Sequence, residues 1–306
     1  MRITTSSAGL AAGMAAVLAF SLSLPMTRLA VAAIDPVWLA LARGVGAAAI
    51  AIIVLAASGS PLPARADWPD LLAVAAGVVL GFPMTTSIAM RDAGAAHGAV
   101  VIAILPLATA AVGALLTRTR LPLAFWLLAV VGAALVVAHT RLTTGTLTGD
   151  ARSNAWLALA IASAATGYAA GGRLAPRLGG WRTICWGLAI AGPMMAPALA
   201  WISFRDGLPA AGVAAWTGFA YVTVVSQLLG FFLWYGAMAA AGIARVSQLQ
   251  LAQVFLTIGF AAWINDEPIA PSTWLFAAMV LGVVIASQRL PYARPQHPST
   301  IPGRTL

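Results

Sequence analysis

Long apolar segments separated by short polar connections make up most of the chain. A helix needs roughly 20 apolar residues to cross the hydrocarbon core of a bilayer. Windows of this kind occur at 8–28, 36–57, 70–90, 98–117, 121–139, 154–175, 181–203, 211–235, 243–264 and 271–288. The pattern therefore predicts an all-α membrane protein with ten transmembrane helices.

The longest polar connection lies at the middle of the chain and leaves five windows on each side. We expect a first five-helix repeat over 8–139, a connecting periplasmic loop over 140–153, a second five-helix repeat over 154–288 and a disordered cytoplasmic tail over 289–306. Because each half has an odd number of spans, the second half must begin on the opposite side of the membrane. The repeats are therefore predicted to be inverted, with a site between them near the membrane midplane.

Arginine positions predict the orientation, since cytoplasmic loops carry an excess of basic residues. With the N-terminus inside, eleven Arg residues fall on the cytoplasmic side, five fall outside, and Arg43 lies within the second span. Both termini are therefore predicted to be cytoplasmic.

The composition agrees with a membrane protein and excludes several other classes. Of the 306 residues, 61% are hydrophobic and only 8% are charged, too few to cover the surface of a soluble domain. The net charge of +9 does not indicate nucleic-acid binding, because no basic cluster is longer than RTR (118–120). Cys185 is the single cysteine, and no metal-ligand spacing, phosphate-binding loop or nucleophile motif occurs, so we expect neither a cofactor nor an enzyme.

Three segments resemble a known family. They are DPVWLALARGVGAA (35–48), ILPLATAAVGALL (104–116), which contains Pro106, and NDEPIAPSTWLFAAMVLGVVI (265–285). They are similar to the EamA family of the drug/metabolite transporter superfamily, whose members have ten helices in two five-helix repeats. The resemblance implies export or exchange of small metabolites, commonly amino acids, across a bacterial inner (plasma) membrane.

The ninth window contains polar residues that hydrocarbon would not satisfy. Gln250 and Gln253 share a helical face, and Thr257 extends that face by another turn. An amide facing lipid costs a few kcal/mol, so this face must contact protein or water. Hydrogen bonding between helices is one interpretation. The other, which we favour, is the wall of a central cavity in which both glutamines face Gln227 and bind the polar end of a substrate.

Other polar side chains within the windows are candidates for the same cavity. The eighth window has a stripe formed by Thr223, Ser226, Gln227 and Trp234. Ser21 shares a face with Pro25 in the first window, Thr85 and Thr86 follow Pro83 in the third, and Thr166 lies in the sixth. Each proline removes a backbone donor and frees a carbonyl one turn earlier, which a substrate or a hydroxyl could satisfy.

Charged residues within the windows are rare. Arg43 lies about two turns from the outer end of its helix, so we expect a structural role in which it reaches the interface or pairs with Asp35. All eight acidic residues lie in loops or at window ends, which argues against proton-coupled transport through a buried carboxylate.

The sequence thus predicts a multi-pass transporter that binds a small amphipathic metabolite within the lipid bilayer and works by alternating access. A passive pore, and a membrane enzyme or assembly protein of the same architecture, stay open as alternatives. The oligomeric state also stays open, and a monomer is compatible with the sequence.

Overall fold

A computed structural model describes residues 7–117, 121–144, 147–241, 246 and 249–290. Within these ranges the regular structure is entirely helical. The elements of the first half are α1 (Ser7–Ser21 and Ser23–Val31), α2 (Pro36–Ala57), α3 (Arg65–Asp67, Trp68–Val74, Ala75–Gly81 and Phe82–Asp92), α4 (Ala95–Ile102 and Leu105–Thr117) and α5 (Leu123–Thr144). Those of the second half are α6 (Leu147–Leu178), α7 (Gly180–Asp206), α8 (Val213–Ala220, Tyr221–Leu229 and Gly230–Ala241), α9 (Gln250–Ala252 and Gln253–Ile264) and α10 (Pro271–Gln288).

The helices identify a multi-pass membrane protein. Among the described residues, seven helices are long and apolar enough to cross a bilayer, and each overlaps one of the predicted windows. Shorter apolar helices, Leu123–His139, Gln253–Ile264 and Pro271–Ser287, fall in the other three windows.

The helices also extend into the predicted connecting loop over 140–153. Helix α5 ends at Thr144 and α6 begins at Leu147. The polar residues there mark the end of the apolar segment, and a helix can continue beyond that point because water satisfies its exposed polar groups. Residues 291–306, which make up most of the predicted tail, lie outside the described residues.

Three helices of the first half are irregular near a proline. Helix α1 is interrupted at Leu22, three residues before Pro25. Helix α3 has π geometry over Ala75–Gly81, just before Pro83, and α4 is interrupted over 103–104, just before Pro106. Proline cannot donate the backbone hydrogen bond that continues a regular helix, so irregular segments at these positions are expected.

The two halves pack against each other through corresponding helices. Extensive contacts join α2 to α7, α4 to α9 and α5 to α10, which occupy the same order within their halves. Contacts between α1 and α8 likewise have a counterpart in those between α3 and α6. Helix α8 also has a π segment, Tyr221–Leu229, at the place that corresponds to the π segment of α3.

Glycine permits the closest approach between α3 and α6. A Cβ added to Gly77 would lie 2.8 Å from the backbone nitrogen of Gly167 and would also clash with the carbonyl oxygen of Ser163. A comparable contact occurs between α8 and α1, where a Cβ on Gly218 would lie 2.6 Å from the carbonyl oxygen of Met26. Both obstacles are backbone atoms, which a rotamer change cannot move.

We therefore predict that Gly77→Ala lowers the stability of the folded protein by about 1–3 kcal/mol, because α3 and α6 would have to separate. Thermal unfolding in detergent measures the effect. Gly259→Ala is the matched control, since Gly259 lies in a helix and has no neighbour within 4 Å of the added Cβ. Equal stability of the two variants would contradict the packing described for α3 and α6.

Candidate functional site

A cavity of about 40 Å³ lies between α1, α4, α9 and α10. We call it the glutamine cavity, because Gln250, Gln253 and Thr257 all line it. The face predicted from the spacing of these three residues is therefore the face that borders the cavity. The other lining residues are Leu24, Ala99, Ile102, Ala103, Leu105, Pro106, Val254 and Leu281.

A second cavity, of about 30 Å³, adjoins the first. We call it the arginine cavity, because Arg43 is the one charged residue among those that line it. Leu24, Ile102, Leu105 and Gln253 line both cavities. The remaining lining residues are Phe20, Ser23, Val78, Phe82, Tyr168, Ser226, Gln227 and Phe231.

A polar cluster from three helices forms one side of the arginine cavity. The hydroxyl oxygens of Ser23 and Ser226 are 2.7 Å apart and share a hydrogen bond. Arg43 Nη2 donates to Ser226 Oγ at 3.4 Å. The cluster therefore connects α1, α2 and α8.

Arg43 occupies a different environment from the one expected. Its side chain is only 2% exposed, so it does not reach the end of its helix. Asp35 does not pair with it, because Asp35 Oδ1 accepts hydrogen bonds from the backbone nitrogens of Val37 and Trp38 at 2.9 and 3.0 Å and caps α2. Position within the helix suggested an interfacial arginine, whereas the packing of α2 against α7 and α8 encloses it.

Gln227 satisfies the backbone carbonyls that Pro83 leaves without a donor. In a regular α-helix the N–H of residue 83 would bond to the carbonyl of Val79, and in a π-helix to that of Val78. Pro83 has no N–H, and Gln227 Nε2 lies 3.1 Å from the oxygen of Val78 and 3.3 Å from that of Val79. The amide of Gln227 thus joins the π segments of α8 and α3 across the two halves.

Gln250 and Gln253 differ from Gln227 in this respect. Neither side-chain amide makes a hydrogen bond to another of the described residues. Gln253 lines the arginine cavity together with Gln227, whereas Gln250 lines only the glutamine cavity. The free amides of Gln250 and Gln253 can bind water or a solute.

Five predicted site residues lie outside both lining sets, and each of their hydroxyls donates to the backbone carbonyl one turn earlier in its own helix. Ser21 bonds to Val17, Thr85 to Gly81, Thr86 to Phe82, Thr166 to Ala162 and Thr223 to Phe219, at 2.6–2.9 Å. A hydroxyl in a helix interior readily makes this local bond, which removes the need for a partner elsewhere.

Trp234 lies behind the wall of the arginine cavity rather than on its surface. Its ring is completely buried and contacts the rings of Phe20 at 6.1 Å and Tyr168 at 6.0 Å between centroids. Both of these aromatic residues line the cavity, so Trp234 supports its wall.

The prolines differ in their relation to the cavities. Pro106 lines the glutamine cavity. Pro83 shapes the edge of the arginine cavity through the adjacent Phe82 and through Val78. Pro25 lies outside both lining sets, and its carbonyl accepts a hydrogen bond from Asn265 Nδ2 at 3.1 Å.

The sequence prediction missed the apolar wall of the arginine cavity and one of its polar residues. The missed residues are Phe20, Ser23, Phe82, Tyr168 and Phe231. Aromatic residues are common within apolar helices, so no pattern separates those that face a cavity from those that face lipid. Ser23 had a usable signal, because it lies one turn before Thr27 in the polar segment that also contains Pro25.

The interaction between Gln227 and the π segment of α3 predicts a specific coupling. Gln227→Leu should lower stability by about 1 kcal/mol, because two buried carbonyls lose their donor. In a Pro83→Ala background the same substitution should cost less, because position 83 again has an N–H that can bond within the helix. Thermal unfolding of the two single variants and the double variant measures the coupling. Additive effects would show that Gln227 does not compensate for Pro83.

Comparisons with known proteins agree with this architecture. Residues 7–138 and 152–288 each match the EamA-like transporter family. The chain is 38% identical over 273 residues to "Uncharacterized transporter YdeK" of Bacillus subtilis (strain 168), an alignment that covers 89% of this chain and 93% of that protein. A solved structure titled "Crystal structure of protein" has the same fold, with a TM-score of 0.63 and 19% identity over 94% of this chain and 100% of that one. The chain belongs to the EamA-like transporter family.

Proposed function

We propose that this protein is a carrier that moves small amphipathic metabolites, amino acids foremost, across a bacterial plasma membrane by alternating access. The observation that supports the proposal most strongly is the composition of the arginine cavity. Ser23 and Arg43 come from the first half of the chain, whereas Ser226, Gln227 and Gln253 come from the second. A movement of one half against the other would therefore change the surroundings of a bound solute.

Polar contacts between the halves at both ends of the helices support alternating access. At one end, Glu267 accepts hydrogen bonds from the backbone nitrogens of Ala95 and Ala96 at 2.7 and 3.0 Å, next to the bond from Asn265 to Pro25. At the other end, Arg177 pairs with Asp67 at 2.7 Å and Arg173 pairs with Asp70. In the proposed cycle, contacts at one end break while those at the other end hold.

Two further features belong to the proposal. The correspondence between helix pairs supports two inverted five-helix repeats, with the cavities between them. The excess of Arg on one side of the predicted spans supports cytoplasmic N and C termini.

Flux into proteoliposomes tests the proposal and separates it from the alternatives. A carrier gives saturable uptake of radiolabelled amino acids, and uptake accelerates when the same solute is present on the other side. A passive pore gives linear flux without such acceleration. Absence of flux for a broad panel of amino acids and other small amphipathic metabolites would contradict the proposal and favour a membrane enzyme or assembly protein.

Substitution of the cavity glutamines gives a more local prediction. Gln253→Leu should raise the half-saturating solute concentration several-fold, because it removes hydrogen bonds worth about 1 kcal/mol each from both cavities. Gln250→Leu should have a smaller effect, because it borders only the glutamine cavity.

Thr217→Val serves as a control, since the Thr217 hydroxyl bonds to its own helix and lies outside both lining sets. Thermal stability should change little in the two glutamine variants and in the control, because neither glutamine side chain bonds to another described residue. A stability loss that matched the loss of flux would contradict the assignment of Gln253 to a solute site.

A further inference from the structure

Arg43 is a buried cation whose hydrogen-bonding capacity is largely unused. Its side chain is 2% exposed, and Nη2 makes one long hydrogen bond of 3.4 Å to the neutral hydroxyl of Ser226. Arg43 Nε is buried and has no acceptor. A guanidinium has five N–H donors in a fixed planar arrangement, so this environment leaves the group poorly satisfied.

Among the residues that the structure describes, no carboxylate pairs with this charge. The residues that line the two cavities include no Asp or Glu. The salt bridges among the described residues join Arg173 to Asp70, Arg177 to Asp67 and Arg205 to Asp206, all at helix ends. A buried charge without a counter-ion is strongly unfavourable, and such a residue inside a membrane protein indicates a functional site.

We infer that Arg43 binds the carboxylate of the transported solute. This inference rests on the proposed function and specifies the substrate class of the same cavity. The guanidinium can bind both oxygens of a carboxylate through two parallel N–H donors. The Ser226 hydroxyl and the Gln253 amide line the same cavity and can hold other polar atoms of the solute.

The rest of the cavity determines what accompanies the carboxylate. Phe20, Phe82 and Phe231 provide an apolar surface for a hydrocarbon side chain. The lining has no anionic group for an ammonium ion, and only neutral oxygens of hydroxyl and amide groups are available to it. A carboxylate is therefore required for binding, whereas an ammonium group is tolerated but not required.

Three compounds with the same hydrocarbon group test this order of importance. L-leucine has both charged groups, 4-methylpentanoate lacks the amino group, and 3-methylbutylamine lacks the carboxylate. A bound ligand raises the unfolding temperature, so thermal unfolding in detergent reports binding without requiring transport. We expect L-leucine and 4-methylpentanoate to stabilise the wild-type protein and 3-methylbutylamine to have no effect.

Variants at position 43 assign the effect to the guanidinium. Arg43→Gln should weaken binding of both carboxylates at least about tenfold, because a charge-assisted pair of hydrogen bonds is lost. Arg43→Lys, which keeps the charge but not the planar donors, should give an intermediate affinity. Arg205→Gln is the matched control, since Arg205 is an exposed residue that pairs with its neighbour Asp206 at a helix end.

The unliganded stability of Arg43→Gln separates substrate binding from a structural role. Removing an uncompensated buried charge should leave the unfolding temperature unchanged or raise it. A structural arginine would instead lower it on substitution, together with any loss of binding.

The inference is overturned if neither carboxylate stabilises the wild-type protein, or if 3-methylbutylamine stabilises it as well as the carboxylates do. It is also overturned if the carboxylates stabilise Arg43→Gln as much as they stabilise the wild-type protein. Failure of the proposed function is visible separately. In that case the carboxylates bind in detergent, but the protein does not accelerate the flux of L-leucine into proteoliposomes.

Discussion

Backbone carbonyls inside a bilayer must find hydrogen-bond donors within the protein, because hydrocarbon offers none. This constraint applies where Pro83 follows the π segment of α3, and the amide of Gln227 meets it by donating to the carbonyls of Val78 and Val79. A side chain from the second half of the chain thus completes the backbone of a helix in the first half. The irregular segment can therefore remain at the edge of the arginine cavity without exposing unpaired polar groups to lipid.

The same constraint distinguishes two sets of buried polar residues. Gln227 and the hydroxyls of Ser21, Thr85, Thr86, Thr166 and Thr223 donate to backbone carbonyls and so belong to the scaffold. Gln250, Gln253 and the Nε of Arg43 lack such partners among the described residues. All three of these residues line the two cavities, so their unpaired polar groups are available to a solute.

The sequence predicted the membrane class and the positions of the apolar helices well, because the length of an apolar segment is a one-dimensional property that the bilayer imposes directly. It also identified the face formed by Gln250, Gln253 and Thr257, since helical periodicity determines which residues share a face. The role of Gln227 was less accessible, because its partner at Val78 is far away in the sequence. The local hydrogen bonds of the hydroxyl residues could not be predicted, because a hydroxyl in a helix can also bond to a neighbouring helix. The enclosure of Arg43 was missed because the packing of α2 against α7 and α8, not distance along the helix, determines its exposure.

If Gln253 borders a cavity that water and solute enter, a cysteine at this position should be chemically accessible. The measurement is the rate at which a charged, membrane-impermeant methanethiosulfonate reagent labels Gln253→Cys in a Cys185→Ala background. Leu275→Cys in the same background is the lipid-facing control, because Leu275 is an exposed apolar residue. We expect rapid labelling at position 253, slower labelling in the presence of L-leucine, and little labelling at position 275. Labelling at position 253 as slow as at position 275 would contradict a solute-accessible cavity between the two halves.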